Sequence, residues 1–178
     1  MMATSLAYPS NKPLNGATYA GSPDLAVGAN FIKAGGGPGS FSMVRAWDNM
    51  IGASALEEDL AELASIYGQE PTDRFVSIFN FAIADAWAHA GMDNVSIPQP
   101  TESSGRPLAL AVLRAGTTQD GLFLDGYLLE HMLSPRVYSQ VAGDINARYG
   151  PHAYDEFRRV GNEFLDLVAT QVGSASVD

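Results

Sequence analysis

The chain has 178 residues, enough for one domain with a real core, and 46% apolar with 17% charged residues mark it as globular rather than disordered. A formal charge of −10, with Lys12 and Lys33 the only lysines and no basic run, argues against nucleic acid or an anionic membrane surface as partner. The chain has no cysteine, which excludes disulfides, thiolate catalysis, iron–sulfur clusters and cysteine-type zinc sites.

The opening "MMATSLAYPSNKPLNG" has neither a basic n-region nor an apolar h-region, so no secretory signal is expected. No apolar run approaches the roughly 18 residues of a spanning helix. A cytoplasmic location is the default expectation, with a mature exported protein left open. Residues 1–30, rich in Gly, Pro, Asn and Ser, read as an irregular N-terminal arm. An arm of that composition is more easily pinned by a neighbouring subunit than by itself, which points to a homo-oligomer.

Residues 31–91 read as three helices. The glycine run "KAGGGPGSF" (Lys33–Phe41) lacks the preceding strand and the Lys-Ser/Thr of a phosphate loop, so it is expected to be a flexible leader. The first helix, roughly Phe41–Ile51, is apolar nearly all round and should lie deep. The second starts at "SALEE", with Ser54 as N-cap and Glu57 completing a capping box. Its stripe Leu56, Leu60, Leu63 and Tyr67 keeps one face of a 3.6-residue helix inward, and Gly68 stops it. The third carries Phe75, Ile78, Phe79, Ala82, Ala86 and Ala90 on a broad apolar face.

Residues 92–107, "MDNVSIPQPTESSGRP", are a proline-broken linker. Residues 108–173 then repeat the pattern: a helix at Leu122–Leu133, a second from Ser134 and Pro135 to Tyr149 stopped by Gly150, and a third carrying Phe157, Val160, Phe164, Leu165, Val168 and Val172. Residues 174–178 are a tail. At an offset of 82, Phe41 matches Phe123, Met50 Met132, Tyr67 Tyr149, Gly68 Gly150, Asp73 Asp155, Phe75 Phe157, Asn80 Asn162 and Gly91 Gly173. The expected architecture is all-α, a six-helix bundle of two pseudo-symmetric three-helix repeats from an internal duplication, probed by the apolar pattern more than by identity.

The candidate functional residues are few. His131 shares a stripe with Leu124 and Leu128, and His89 lies in line with Phe75, Ala82 and Ala86; both point toward apolar surroundings, which keep an imidazole neutral and able to ligate a metal. With Trp87 nearby, they offer axial ligands for a haem, although no Cys-x-x-Cys-His signature supports it. Asp85 with His89, and His152 with Glu156, are i,i+4 pairs that can share a metal only if further ligands converge. Asn80 and Asn162, mid-helix in both repeats, either fix the packing register or present an amide to a ligand.

The reading these features support is a soluble non-catalytic helical module that binds an apolar or planar small ligand between its trios, or assembles with copies of itself. One alternative is a haem protein with axial His131 and His89. The other is a cofactor-free enzyme with His131 as general base and Glu130 or Asp125 beside it.

Overall fold

A computed structural model describes residues 23–37, 39–89, 105–115 and 135–176. They form seven packed α-helices and, among the described residues, no strand: α1 (Pro23–Ala34), α2 (Met43–Ile51), α3 (Ala53–Tyr67), α4 (Gln69–His89), α5 (Arg106–Ala115), α6 (Pro135–Tyr149) and α7 (Ala153–Ser176). The all-α class expected from the periodicity is the class observed, but the six-helix count is not, because α1 and α5 were not among the expected helices. The helix expected at Leu122–Leu133 lies outside the described residues.

The first departure is α1, which occupies the end of the segment read as an irregular arm. Its proline stands at the first helical position, where the missing N–H has no intrahelical partner to lose. Ala29, Phe31 and Ile32 are buried, so contact with the rest of the chain overrides a composition that disfavours helix. The glycines that follow form a cap rather than a loose leader. Gly37 N–H donates to Ile32 O at 2.8 Å and Gly36 N–H to Lys33 O at 3.0 Å, the paired bonds of a Schellman motif, with Gly36 at φ 106°.

Ser42 caps α2, accepting from Arg45 N–H at 3.2 Å. Met43, Ala46, Trp47 and Met50 are buried while Val44, Arg45, Asp48 and Asn49 face out. The helix is therefore one-sided, not apolar all round. One residue joins it to α3: Gly52, at φ 94°, donates to Asp48 O and accepts from Leu56 N–H. That joint places Ser54 inside the first turn, so the cap of α3 is Gly52 and the expected Ser54–Glu57 box does not form. Gly68 and Gly150 end α3 and α6 at φ 100° and 125°, as the sequence indicated.

Helix α3 packs on α7, α6 on α4, and α1 on α5, while α4 and α7 meet along the middle. The centre is aromatic. Trp47 sets its ring edge-on against Phe31 at 5.6 Å and Phe164 at 5.5 Å, and Phe75 lies on Phe157 at 5.4 Å. Phe41 and Phe79 extend the cluster with centroids 6.2 Å apart. Such offset and edge-on pairs add to area burial because each ring's positive edge meets a negative face.

Two charged or polar side chains are buried among the described residues, Asp59 and Thr72. Thr72 answers itself by donating to Gly68 O at 2.9 Å. Asp59 accepts from Gln171 Nε2 at 3.0 Å, but its second oxygen has no partner among the described residues. Burial pushes the Asp59 carboxyl above its ordinary value, opposed by the Gln171 bond. The native state therefore holds this proton after the unfolded chain has released it. Stability from this group is complete below the ordinary carboxylate range and is lost as pH rises through the raised value. Asp59→Asn is expected to stabilise the protein at pH 7 by about 1 kcal/mol, because the neutral amide carries no charge to desolvate. Urea unfolding at pH 4 and pH 7 checks this, since the gain should shrink at the lower pH.

Candidate functional site

Among the described residues, the seam between α4 and α6 gathers three titratable side chains. Its lower part is held by packing: Phe81 meets Tyr149 edge-on at 5.9 Å, and the Arg148 guanidinium lies 5.0 Å from the Phe81 centroid. Further along, Asp85 and His89 project from α4 four residues apart, on one face of the helix. Asp144 of α6 completes a cluster with them. His89 Nε2 lies 3.1 Å from Asp144 Oδ2 and 3.5 Å from Asp85 Oδ1. Gln140, one turn before Asp144 on α6, donates to its other oxygen, Oδ1, at 3.0 Å.

Their environments differ. The Asp85 side chain is 14% exposed, while those of His89 and Asp144 are 29% and 31% exposed. Burial pushes the Asp85 carboxyl up to about 6, reinforced by its contact with Asp144 and by that group's charge, and opposed by His89. The Asp144 carboxyl moves the other way, lowered first by the bond with Asp85 and further by Gln140 and His89. The two carboxyls titrate as a pair in which Asp85 holds the proton longer. Asp85 Oδ2 is fully buried, and among the described residues no donor reaches it.

This placement changes the roles the sequence suggested. His89 directs Nε2 at two carboxylates rather than into an apolar cavity, an arrangement unlike that of a haem axial ligand. His131, Glu130 and Asp125, the other haem and acid–base candidates, lie outside the described residues. The two i,i+4 pairs are not brought together. His152 is exposed on the turn between α6 and α7, and Glu156 is tied to Arg74 at 2.8 Å. Both line an open depression of about 570 Å³ with Tyr149, Pro151, Arg74 and Arg159, in which basic and acidic groups offset one another.

Asn80 is a structural amide: its Oδ1 accepts from Met43 N–H at 2.7 Å, satisfying one of the donors left open at the start of α2. Asn49 serves the C-terminal end of α1, donating to Ala34 O at 2.6 Å. Asn146 accepts from Tyr154 N–H at 2.9 Å at the start of α7. Asn162 is half-buried on α7, and Trp87 is half-buried on α4 with its Nε1 atom buried. Asp144 and Gln140 are what the sequence reading missed. Their own i,i+4 spacing was visible, but only the packing of α6 on α4 brings Asp144 to His89 across 55 positions.

Comparison with protein-family models, with curated proteins and with solved structures gives no match. Among the described residues no helix is long and apolar enough to cross a membrane.

Proposed function

We propose that the chain is a non-catalytic binding module, made of two helical halves derived by duplication, which takes a small ligand in the seam between α4 and α6. The convergence of Asp85, His89 and Asp144 from two helices, with one buried carboxylate oxygen unanswered among the described residues, carries this reading. An apolar or planar ligand was expected between the two halves, and the centre of that contact is filled by Trp47 and six phenylalanines. The ligand point therefore moves to the flank. Asn80, Asn49 and Asn146 serve helix ends, which favours a scaffold over a polar catalytic cavity.

The contacts across the middle support the duplication. Arg74 pairs with Glu156 at 2.8 Å and Phe75 with Phe157 at 5.4 Å, each joining positions 82 apart. Tyr67 reaches residue 159, donating to its carbonyl at 3.5 Å, while Tyr149 reaches Ser77 at 3.5 Å. Residues 77 and 159 are again 82 apart. Reciprocal contact of this kind is what a twofold relation between two copies produces.

Thermal unfolding in the presence of metal salts, amines, carboxylates and planar aromatic compounds tests the seam. At least one compound should raise the midpoint in a concentration-dependent way, since a ligand of the native state stabilises by mass action. Asp144→Asn should abolish that shift. A wild-type midpoint unmoved by every compound, or an equal shift in the variant, would sink the reading.

A further inference from the structure

We infer that Asp85, His89 and Asp144 bind one divalent transition-metal cation of the zinc class, with an open coordination position toward solvent. The inference rests on the seam as the ligand point and names the ligand's chemistry. One imidazole and two carboxylates, without thiolate, form a borderline-hard donor set suited to zinc, cobalt or manganese rather than copper(I). Three protein ligands with a vacant fourth place is the usual arrangement of a zinc site that also takes water or a small anion.

The distances fit an ion with little rearrangement. Ligand bonds of about 2.0–2.2 Å in a tetrahedron put neighbouring donor atoms roughly 3.3–3.6 Å apart. His89 Nε2 already stands 3.1 Å from Asp144 Oδ2 and 3.5 Å from Asp85 Oδ1, and all three donor atoms lie within 4.8 Å of one another. The buried Asp85 Oδ2 lacks any donor among the described residues, so a cation can draw on that carboxylate without breaking a bond to this atom. Gln140 holds Asp144 Oδ1, leaving Oδ2 toward His89, as an outer-shell amide does for a ligating carboxylate. The net charge of −10 favours cation approach, and the partial exposure of His89 and Asp144 leaves an entry path.

The helix crossing does not itself require this set. Helix α3 crosses α7 at the positions that match α6 and α4 at the same offset of 82, and there Asp85, His89 and Asp144 are replaced by Leu167, Gln171 and Glu62. Gln171 turns to Asp59 instead. A helix pair that closes with leucine and glutamine shows that packing alone does not call for two aspartates and a histidine.

The test is calorimetric titration of the chelator-stripped full chain with zinc chloride in a non-coordinating buffer. One ion per chain is expected. His89→Ala and Asp144→Asn should each weaken binding by more than the roughly 10–100-fold typical of an outer-shell change, and Gln140→Ala by about 10-fold. His152→Ala, on the exposed turn, should leave the titration unchanged. His89→Gln and Asp85→Asn, with unaltered far-ultraviolet circular dichroism, replace any truncation that fails to fold. Absence of saturable binding at millimolar zinc, or binding kept by both His89 and Asp144 variants, overturns the inference. If zinc fails while another compound shifts the wild-type midpoint and not Asp144→Asn, the cation falls and the seam stands. If zinc and every other compound fail, both fall.

Discussion

Trp47→Ala is expected to lower the unfolding free energy by about 3–5 kcal/mol, a large share of the 5–15 kcal/mol typical of a domain. Trp47 is fully buried at the point where α1, α2 and α7 converge, edge-on to Phe31 and Phe164. Truncation removes the largest buried side chain and leaves a void that three helices would have to close together. Its indole N–H is buried without a hydrogen-bond partner among the described residues, so no compensating bond is lost. Trp47→Phe should therefore cost less than half as much: it gives up volume but also removes an unanswered donor. Urea unfolding with an unchanged denaturant slope would read both losses as stability rather than as a looser denatured state. A Trp47→Ala protein within about 1 kcal/mol of wild type would mean that these helices do not share one core.

Where local pattern and tertiary environment agree, the sequence was informative. Helices α3, α4, α6 and α7 were legible because Leu56–Leu63 and Phe157–Val172 keep a 3.6-residue spacing and because Gly68 and Gly150 supply the stop that only glycine makes easily. Helix α1 was not legible. Its Gly, Pro and Asn lower local helix propensity, and what fixes it is burial of Phe31 and Ile32 against residues far along the chain. The candidate site divides the same way. Asp85 and His89 could be paired from i,i+4 spacing alone, whereas Asp144 joins them only through the crossing of α4 and α6. Asn80 could be expected to have a partner, since a buried mid-helix amide needs one. That the partner is the Met43 N–H depends on the turn between α1 and α2, which the glycine run concealed.

That turn sets the second large effect. Gly35→Ala is expected to cost about 2–3 kcal/mol, as overpacking of a well-packed core does. A Cβ at residue 35 would stand 2.6 Å from both Cδ1 and Cε1 of Phe41 and 2.9 Å from the Ser42 carbonyl oxygen. Neither neighbour yields easily. The Phe41 ring is lodged against Phe31 at 5.5 Å and Phe79 at 6.2 Å, and Ser42 donates its own N–H to Gly35 O at 2.9 Å while capping α2. Relief would have to shift the start of α2, and with it Trp47. Gly39→Ala, with nothing within 4 Å of its Cβ, serves as the control and should be close to neutral. Chemical denaturation of the two variants side by side separates close packing from a general intolerance of the loop to side chains. Adding Phe41→Leu to Gly35→Ala decides which contact dominates. A smaller side chain at 41 relieves the ring clash, so partial recovery assigns the cost to Phe41, and an undiminished loss assigns it to the Ser42 carbonyl. If Gly35→Ala is itself neutral, the close approach of Phe41 to the end of α1 is not a feature of the folded protein, and the aromatic core must end at Phe31.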